Sequence, residues 1–136
     1  MKKRRLALIS ALVLLLVLNG CATMSAPPKL ENGAWILHTI NDELPYGNDA
    51  ITLSFNSDSQ LSGNAGCNDY HANYSHDETT LNIDTISTTR KMCTPEAMQQ
   101  ERRYLQLLGE AATFQDKCNW LRIHTQGNDL LMFKRK

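Results

Sequence analysis

The sequence predicts an α+β domain in which a run of short antiparallel strands carries one amphipathic helix, inserted late. Three stretches predict it. Ile51, Leu53 and Phe55 alternate with Thr52 and Ser54, the period-two pattern of a half-buried antiparallel strand. Gly63 and Gly66 interrupt strand-like sequence on both sides. Glycine within such a pattern marks a bulge, a bend or the close approach of another backbone. Thr94-Pro95-Glu96 then supplies an N-cap, a proline for the first helical position and an acid for the positive end of the helix dipole.

In chain order, Ala34 to Ile40 reads as the first strand, and Asn41-Asp42 as a tight turn into Glu43-Leu44. Pro45, Gly47, Asn48 and Asp49 make a loop before the strand Ile51 to Phe55. Asn56 to Ser59 turns the chain into the glycine corner, Leu61 to Tyr70, with Cys67 at its far edge. Tyr70 to Tyr74 resumes an extended pattern, Asp77-Glu78 turns, and Thr79 to Ile86 alternates with Leu81, Ile83 and Ile86 inward. The helix is expected from Pro95 to about Leu108, with Met98, Tyr104 or Leu105, Leu108, and Ala111 or Ala112 on one face, and Gln99, Arg102, Arg103 and Gln106 in water. Phe114-Gln115, Trp120 to Thr125 and Asp129 to Phe133 complete the sheet, with Gln126-Gly127-Asn128 as the last hairpin turn. Trp35, Leu53, Phe55, Leu105, Leu108, Leu121 and Phe133 are the expected core.

The first twenty residues stand apart. Lys2, Lys3, Arg4 and Arg5 precede an apolar run from Leu6 to Leu18, the layout of a secretory signal peptide and too short for a spanning helix. Leu18-Asn19-Gly20-Cys21 resembles a bacterial lipobox. That resemblance implies cleavage after Gly20 and lipidation of Cys21, a modification only a thiol can take; two or more acyl chains hold a protein stably at a membrane. Ala22 in place of an aspartate resembles an outer-membrane address in a diderm host. The expected organisation is a lipoprotein signal peptide over 1–20, a lipidated tether over 21–33 with Pro27-Pro28 and Asn32-Gly33, and one domain over 34–136.

Processing also changes the charge. The whole chain has 14 basic and 14 acidic residues; loss of the four at positions 2–5 leaves 10 basic against 14 acidic. An acidic mature chain lacks the basic footprint that nucleic-acid binding needs. With Cys21 reserved for lipid, Cys67, Cys93 and Cys118 allow one bridge and one spare thiol, and spacing alone does not choose among three pairings.

By Cys93 the residues carry a family resemblance. Gly33-Ala34-Trp35, Leu53-Ser54-Phe55, Ser62-Gly63-Asn64-Ala65-Gly66-Cys67-Asn68-Asp69-Tyr70, the aromatic Tyr74, Ile86 to Cys93 with its Thr89-Arg90-x-x-Cys93, and Leu131-Met132-Phe133 resemble the META/HslJ-like domain of bacterial envelope lipoproteins. Cys118 departs from that pattern. The resemblance implies a curled antiparallel sheet forming a partial barrel, closed by the helix. It also implies a role in tolerance of envelope stress such as heat or antibiotics, without a transferable enzymatic mechanism.

The candidate sites follow. Cys67 and Cys93 both fall at corners of a chain exported to an oxidising compartment, so a structural disulfide is the preferred reading over a redox pair, which usually shows Cys-x-x-Cys at a helix start. Such a bridge would close a loop of about 26 residues, worth roughly 3 kcal/mol in the chain-entropy model. Cys118 is then the spare. Cys67, Asp69, His71 and His76 invite a metal reading, but on a strand position 76 points opposite to the other three and a bridge removes the thiolate. No metal or cofactor is expected. Arg90-Lys91 before the helix is a candidate anion site, with an ion pair of Arg90 preferred because Pro95 removes a donor and Glu96 adds negative charge. No nucleophile elbow, phosphate loop or paired-carboxylate motif supports an enzyme. The expected function is a non-catalytic outer-membrane lipoprotein that faces the periplasm, held by lipid at Cys21, and binds an envelope protein or small ligand. The alternatives are a pilot- or inhibitor-like lipoprotein capturing a secreted segment along a sheet edge, and an envelope enzyme.

Overall fold

The computed structural model describes residues 30–136. The signal peptide, the lipobox with Cys21 and most of the tether lie outside the described residues. Nine strands and one helix follow in order: β1 (Ala34–Ile40), β2 (Thr52–Phe55), β3 (Gln60–Asn64), β4 (Asp69–His76), β5 (Leu81–Ile83), β6 (Ser87–Thr88), α1 (Pro95–Gly109), β7 (Ala111–Lys117), β8 (Trp120–Thr125) and β9 (Leu130–Arg135). All pairings are antiparallel, in the spatial order β5-β4-β3-β2-β1-β9-β8-β7, with β6 beside the first half of β4. The two ends of that order meet through a Thr80–Thr113 bridge, where the Phe114 amide donates to the Thr79 carbonyl at 2.8 Å. The sheet is therefore a nearly closed barrel of short strands with one helix, the expected α+β architecture.

The strands form where alternation dictates. Leu53 and Phe55 on β2, Leu81 and Ile83 on β5, Leu121 and Ile123 on β8, and Leu131 and Phe133 on β9 all point into one core. The turn after β1 places Asn41 and Asp42 at φ 50° and 65°, the left-handed pair that a two-residue hairpin needs. Ile40 and Glu43 exchange two backbone hydrogen bonds of 2.9 Å across it. A register shift between Leu37 and Thr39 against β9 leaves His38 as the extra residue of a bulge.

The helix starts at its expected cap: the Thr94 side chain accepts from the Ala97 amide at 3.3 Å. Its buried face is Glu101, Tyr104, Leu107 and Leu108. Leu105, expected in the core, is only half-buried, and Leu107 takes its place. Six of the seven expected core residues are fully enclosed; Leu105 is the exception. The tether is shorter than expected, because Leu30 is fully buried and the Asn32 amide donates to the Phe55 carbonyl at 2.8 Å. Residues 30–33 belong to the packed domain, since their backbone is bonded to β2.

Candidate functional site

The glycine corner is a strand followed by a tight connection. Gly63 lies within β3 and is there for space: a Cβ would sit 2.0 Å from the Thr52 carbonyl oxygen and 2.8 Å from the Tyr70 hydroxyl. The actual reversal falls at residues 65–68. Gly66 takes φ +101°, and its amide donates to the Asn64 side-chain oxygen at 2.8 Å.

Asn68 is the centre of the corner. Its backbone amide donates to Glu101 Oε2 at 2.7 Å and its side-chain amide to Glu101 Oε1 at 2.9 Å. Its side-chain oxygen accepts from the Thr89 hydroxyl at 2.8 Å and from the Lys91 amide at 2.7 Å. One buried asparagine thus joins the corner, the segment before the helix, and the helix itself. The Cys67–Cys93 disulfide runs alongside, with the Cα atoms 6.1 Å apart. Below this knot the Tyr70 hydroxyl donates to the Thr52 carbonyl at 2.8 Å and meets the Tyr104 hydroxyl at 2.7 Å. Burial pushes both phenols above their ordinary value; at Tyr104 the neighbouring Tyr70 adds to the effect. A network in which the donors and acceptors are spent on one another holds the shape of the corner.

Glu101 was not expected to be inside. The signal for it was its phase, since positions 101, 104 and 108 fall on one helical face and the first of these is a carboxylate.

The remaining sequence candidates fare differently. Arg90 is exposed and belongs to none of the ion pairs among the described residues; the pair here is Lys91 with Asp69, at 3.4 Å. The Arg90 ion pair is therefore corrected to its neighbour, which the reversal at 65–68 brings level with Asp69. The Asn64 amide, and then Lys91, hold the Asp69 carboxyl below its ordinary value. Cys118, expected as the spare thiol, is not free, since no cysteine among the described residues is free. That expectation came from counting three cysteines and not from anything in the β7–β8 turn where Cys118 lies. His71 is exposed, whereas His76 stacks on Tyr74 at 6.0 Å and meets Phe114 edge-on at 5.8 Å. Among the described residues no three His, Cys, Asp or Glu side chains are grouped to hold a metal ion.

What the corner and helix do position is a cleft. Ile40 at the end of β1, the loop after it (Glu43, Leu44, Pro45, Tyr46) and α1 (Glu96, Gln99, Gln100, Arg103) line an open cavity of about 300 Å³. Gln100 holds the loop, accepting from the Tyr46 amide and donating to the Tyr46 carbonyl at 3.1 Å. Arg103 pairs with Glu43 at 2.9 Å. Leu44 and Tyr46 on this loop are 74% and 59% exposed. The sequence showed a loop here and no hint that a helix would face it.

The comparisons agree with the fold. The chain resembles a protein from Burkholderia xenovorans solved by NMR, at 23% identity with a TM-score of 0.63, over 88% of this chain and 99% of that one. A second NMR structure matches at 22% identity with a TM-score of 0.65, over 82% of this chain and 95% of the other. The crystal structure of a DUF4847 family protein from Bacteroides vulgatus matches at 15% identity with a TM-score of 0.60, over 77% and 93%. These likenesses are of fold. Comparison with curated proteins gave no match. The profile of the META domain matches residues 28–136, which include every strand, the helix and the Asn68 knot. The chain belongs to the META domain family.

Proposed function

We propose that this META-domain protein is a non-catalytic lipoprotein of the outer membrane, anchored through Cys21 and facing the periplasm of a diderm host. There it contributes to tolerance of heat or antibiotic stress by binding an envelope protein or a small ligand between the β1–β2 loop and α1. The observation that supports this reading is the cleft. Its volume is at the lower end of ligand-binding cavities. It presents two exposed apolar side chains, Leu44 and Tyr46, beside the polar Gln99, Gln100 and Arg103. A rigid barrel stapled at Cys67–Cys93 holds one wall, and hydrogen bonds to Gln100 hold the other. Capture of a segment by strand addition fits less well, because β5 and β7, the ends of the strand order, are bridged to each other.

The test has two arms. A photo-crosslinking residue placed at Leu44 or Tyr46 in the full chain should give a discrete adduct in envelope extracts, protein or small molecule, and the same residue at exposed Asn73 should not. Equal labelling at all three positions would remove the cleft from the account. In the second arm, Cys21→Ser should release the protein from the membrane fraction or leave an unprocessed precursor. Normal processing and membrane retention of that variant would end the lipoprotein reading.

A further inference from the structure

The outer wall of the barrel at β7, β8, β9 and β1 carries a charge pattern that neither the stress role nor the cleft uses. On β8, Leu121, Ile123 and Thr125 are buried, so Trp120, Arg122 and His124 face outward. Lys134 of β9 lies opposite Trp120 on one side and Ile36 of β1 on the other, and Lys117 of β7 lies opposite Trp120. Lys136 is exposed beyond β9, and its amide donates to the Ala34 carbonyl at 2.9 Å. Ile36, Lys117, Trp120, Arg122, Lys134 and Lys136 thus form one patch around an indole that is itself half-exposed. The only carboxylate in these four strands is Asp116. It lies opposite buried Leu121, its side chain is 13% exposed, and it is paired with Arg135 at 2.9 Å. The other acids at this end of the barrel, Glu31, Asp58, Asp77 and Glu78, belong to the turn before β1 and to the β2–β3 and β4–β5 turns. Of the chain's 14 acidic residues one, the paired Asp116, lies in these strands, while four cations stand on the outer wall.

The position of the wall identifies its occupant. The described chain begins at Leu30, which is packed just before β1, and the first residue of β1, Ala34, accepts from the Lys136 amide. Only nine peptide steps separate Leu30 from Cys21, a reach of at most about 30 Å. We propose that this wall is a second membrane contact, on which Lys117, Arg122, Lys134 and Lys136 meet the phosphates of anionic glycerophospholipids while Trp120 sits at headgroup level. The inference rests on lipidation at Cys21, which brings the wall to the bilayer. Basic side chains are attracted to anionic leaflets within a Debye length, and tryptophan favours the interface because its ring is apolar and its N–H is polar. The contact would set how the barrel stands over the membrane, with the Ala34 end of β1 inward and the cleft at the Ile40 end outward.

The experiment uses the processed, lipidated protein reconstituted in vesicles whose lipids carry a headgroup-level fluorescence quencher. Trp35 is fully buried, so Trp120 is the reporting indole, and Trp120→Phe should abolish the quenched component. Quenching is expected to be at least twofold stronger in phosphatidylglycerol-containing vesicles than in phosphatidylcholine vesicles. Raised salt, or the double variant Lys117→Gln/Lys134→Gln, should remove that difference, whereas Arg90→Gln/Arg102→Gln should preserve it. Equal quenching in both vesicle types, indifference to the lysine variant, or a response to lipopolysaccharide alone would overturn the proposal. Protein that fails to stay with either vesicle type would instead count against the anchor, so the two readings fail separately.

Discussion

Asn68 and Glu101 show how much one pair of residues can organise. An asparagine offers two side-chain donor hydrogens and a carbonyl oxygen, and here the amide reaches Glu101 while the oxygen takes both Thr89 and Lys91. The Glu101 carboxylate is acceptor-only and suits a partner that presents a backbone and a side-chain N–H together. Replacing it by the isosteric Glu101→Gln puts an NH₂ group where one of those donors needs an acceptor. The expected loss is about 1–3 kcal/mol of unfolding free energy, the cost of leaving a buried polar group unsatisfied. Glu96→Gln, on the exposed first turn, should cost no more than about 0.5 kcal/mol. Denaturant midpoints of the two variants check this, and equal values would mean that the carboxylate is not carrying the knot.

At the scale of the element, the helix is the piece whose position depends on others. Capping sets where it begins, and its phase against the barrel decides what is buried. Leu108 is fully enclosed, and Tyr104 meets Tyr70 at 5.8 Å and Phe133 at 6.4 Å between ring centres. Leu108→Ala should cost about 2–5 kcal/mol, the range for deleting a buried leucine side chain. Leu105→Ala should cost clearly less, because Leu105 only borders the core. Chemical denaturation of the pair measures it, and the reverse order would show the helix rotated about its axis. The disulfide acts at the same scale: it ties the residue just before the helix cap to the reversal at 65–68, the two points that Asn68 already joins.

For the whole molecule, closure of the barrel places Tyr70 and Tyr104 in its interior, and this gives folding a pH dependence. Burial raises both phenols above the ordinary 10.0, so the folded state keeps protons that the unfolded chain releases. Their contribution is therefore fully present below pH 10.0 and is lost as the pH rises through the shifted values. Stability should fall above that point by about 1.4 kcal/mol per pH unit for each tyrosine. Tyr104→Phe should lessen the slope, and denaturant titrations across the alkaline range measure it. A stability that is flat through that range would place the two hydroxyls in water.

By itself the sequence determined what depends on neighbours along the chain. Alternation marked β2 and β5, Asn41-Asp42 marked the first hairpin, Gln126-Gly127-Asn128 marked the last, and Thr94-Pro95-Glu96 marked the helix start, because pleat, turn and cap are each settled within a few residues. It also put Cys67 and Cys93 at corners, although adjacency in space was not visible in their spacing. The tertiary structure alone decided the rest. Gly63 is required by the Thr52 carbonyl, eleven residues away and on another strand. Leu107 displaces Leu105 because the barrel, not the helix, chooses the buried face. Glu101 is inside because Asn68 meets it there, and the cleft exists because a loop after β1 is bonded to a helix far along the chain. The outer wall with its cations assembles from four strands drawn from both ends of the domain. Local propensity carries no record of such pairings, whose energy is gained only once the barrel closes.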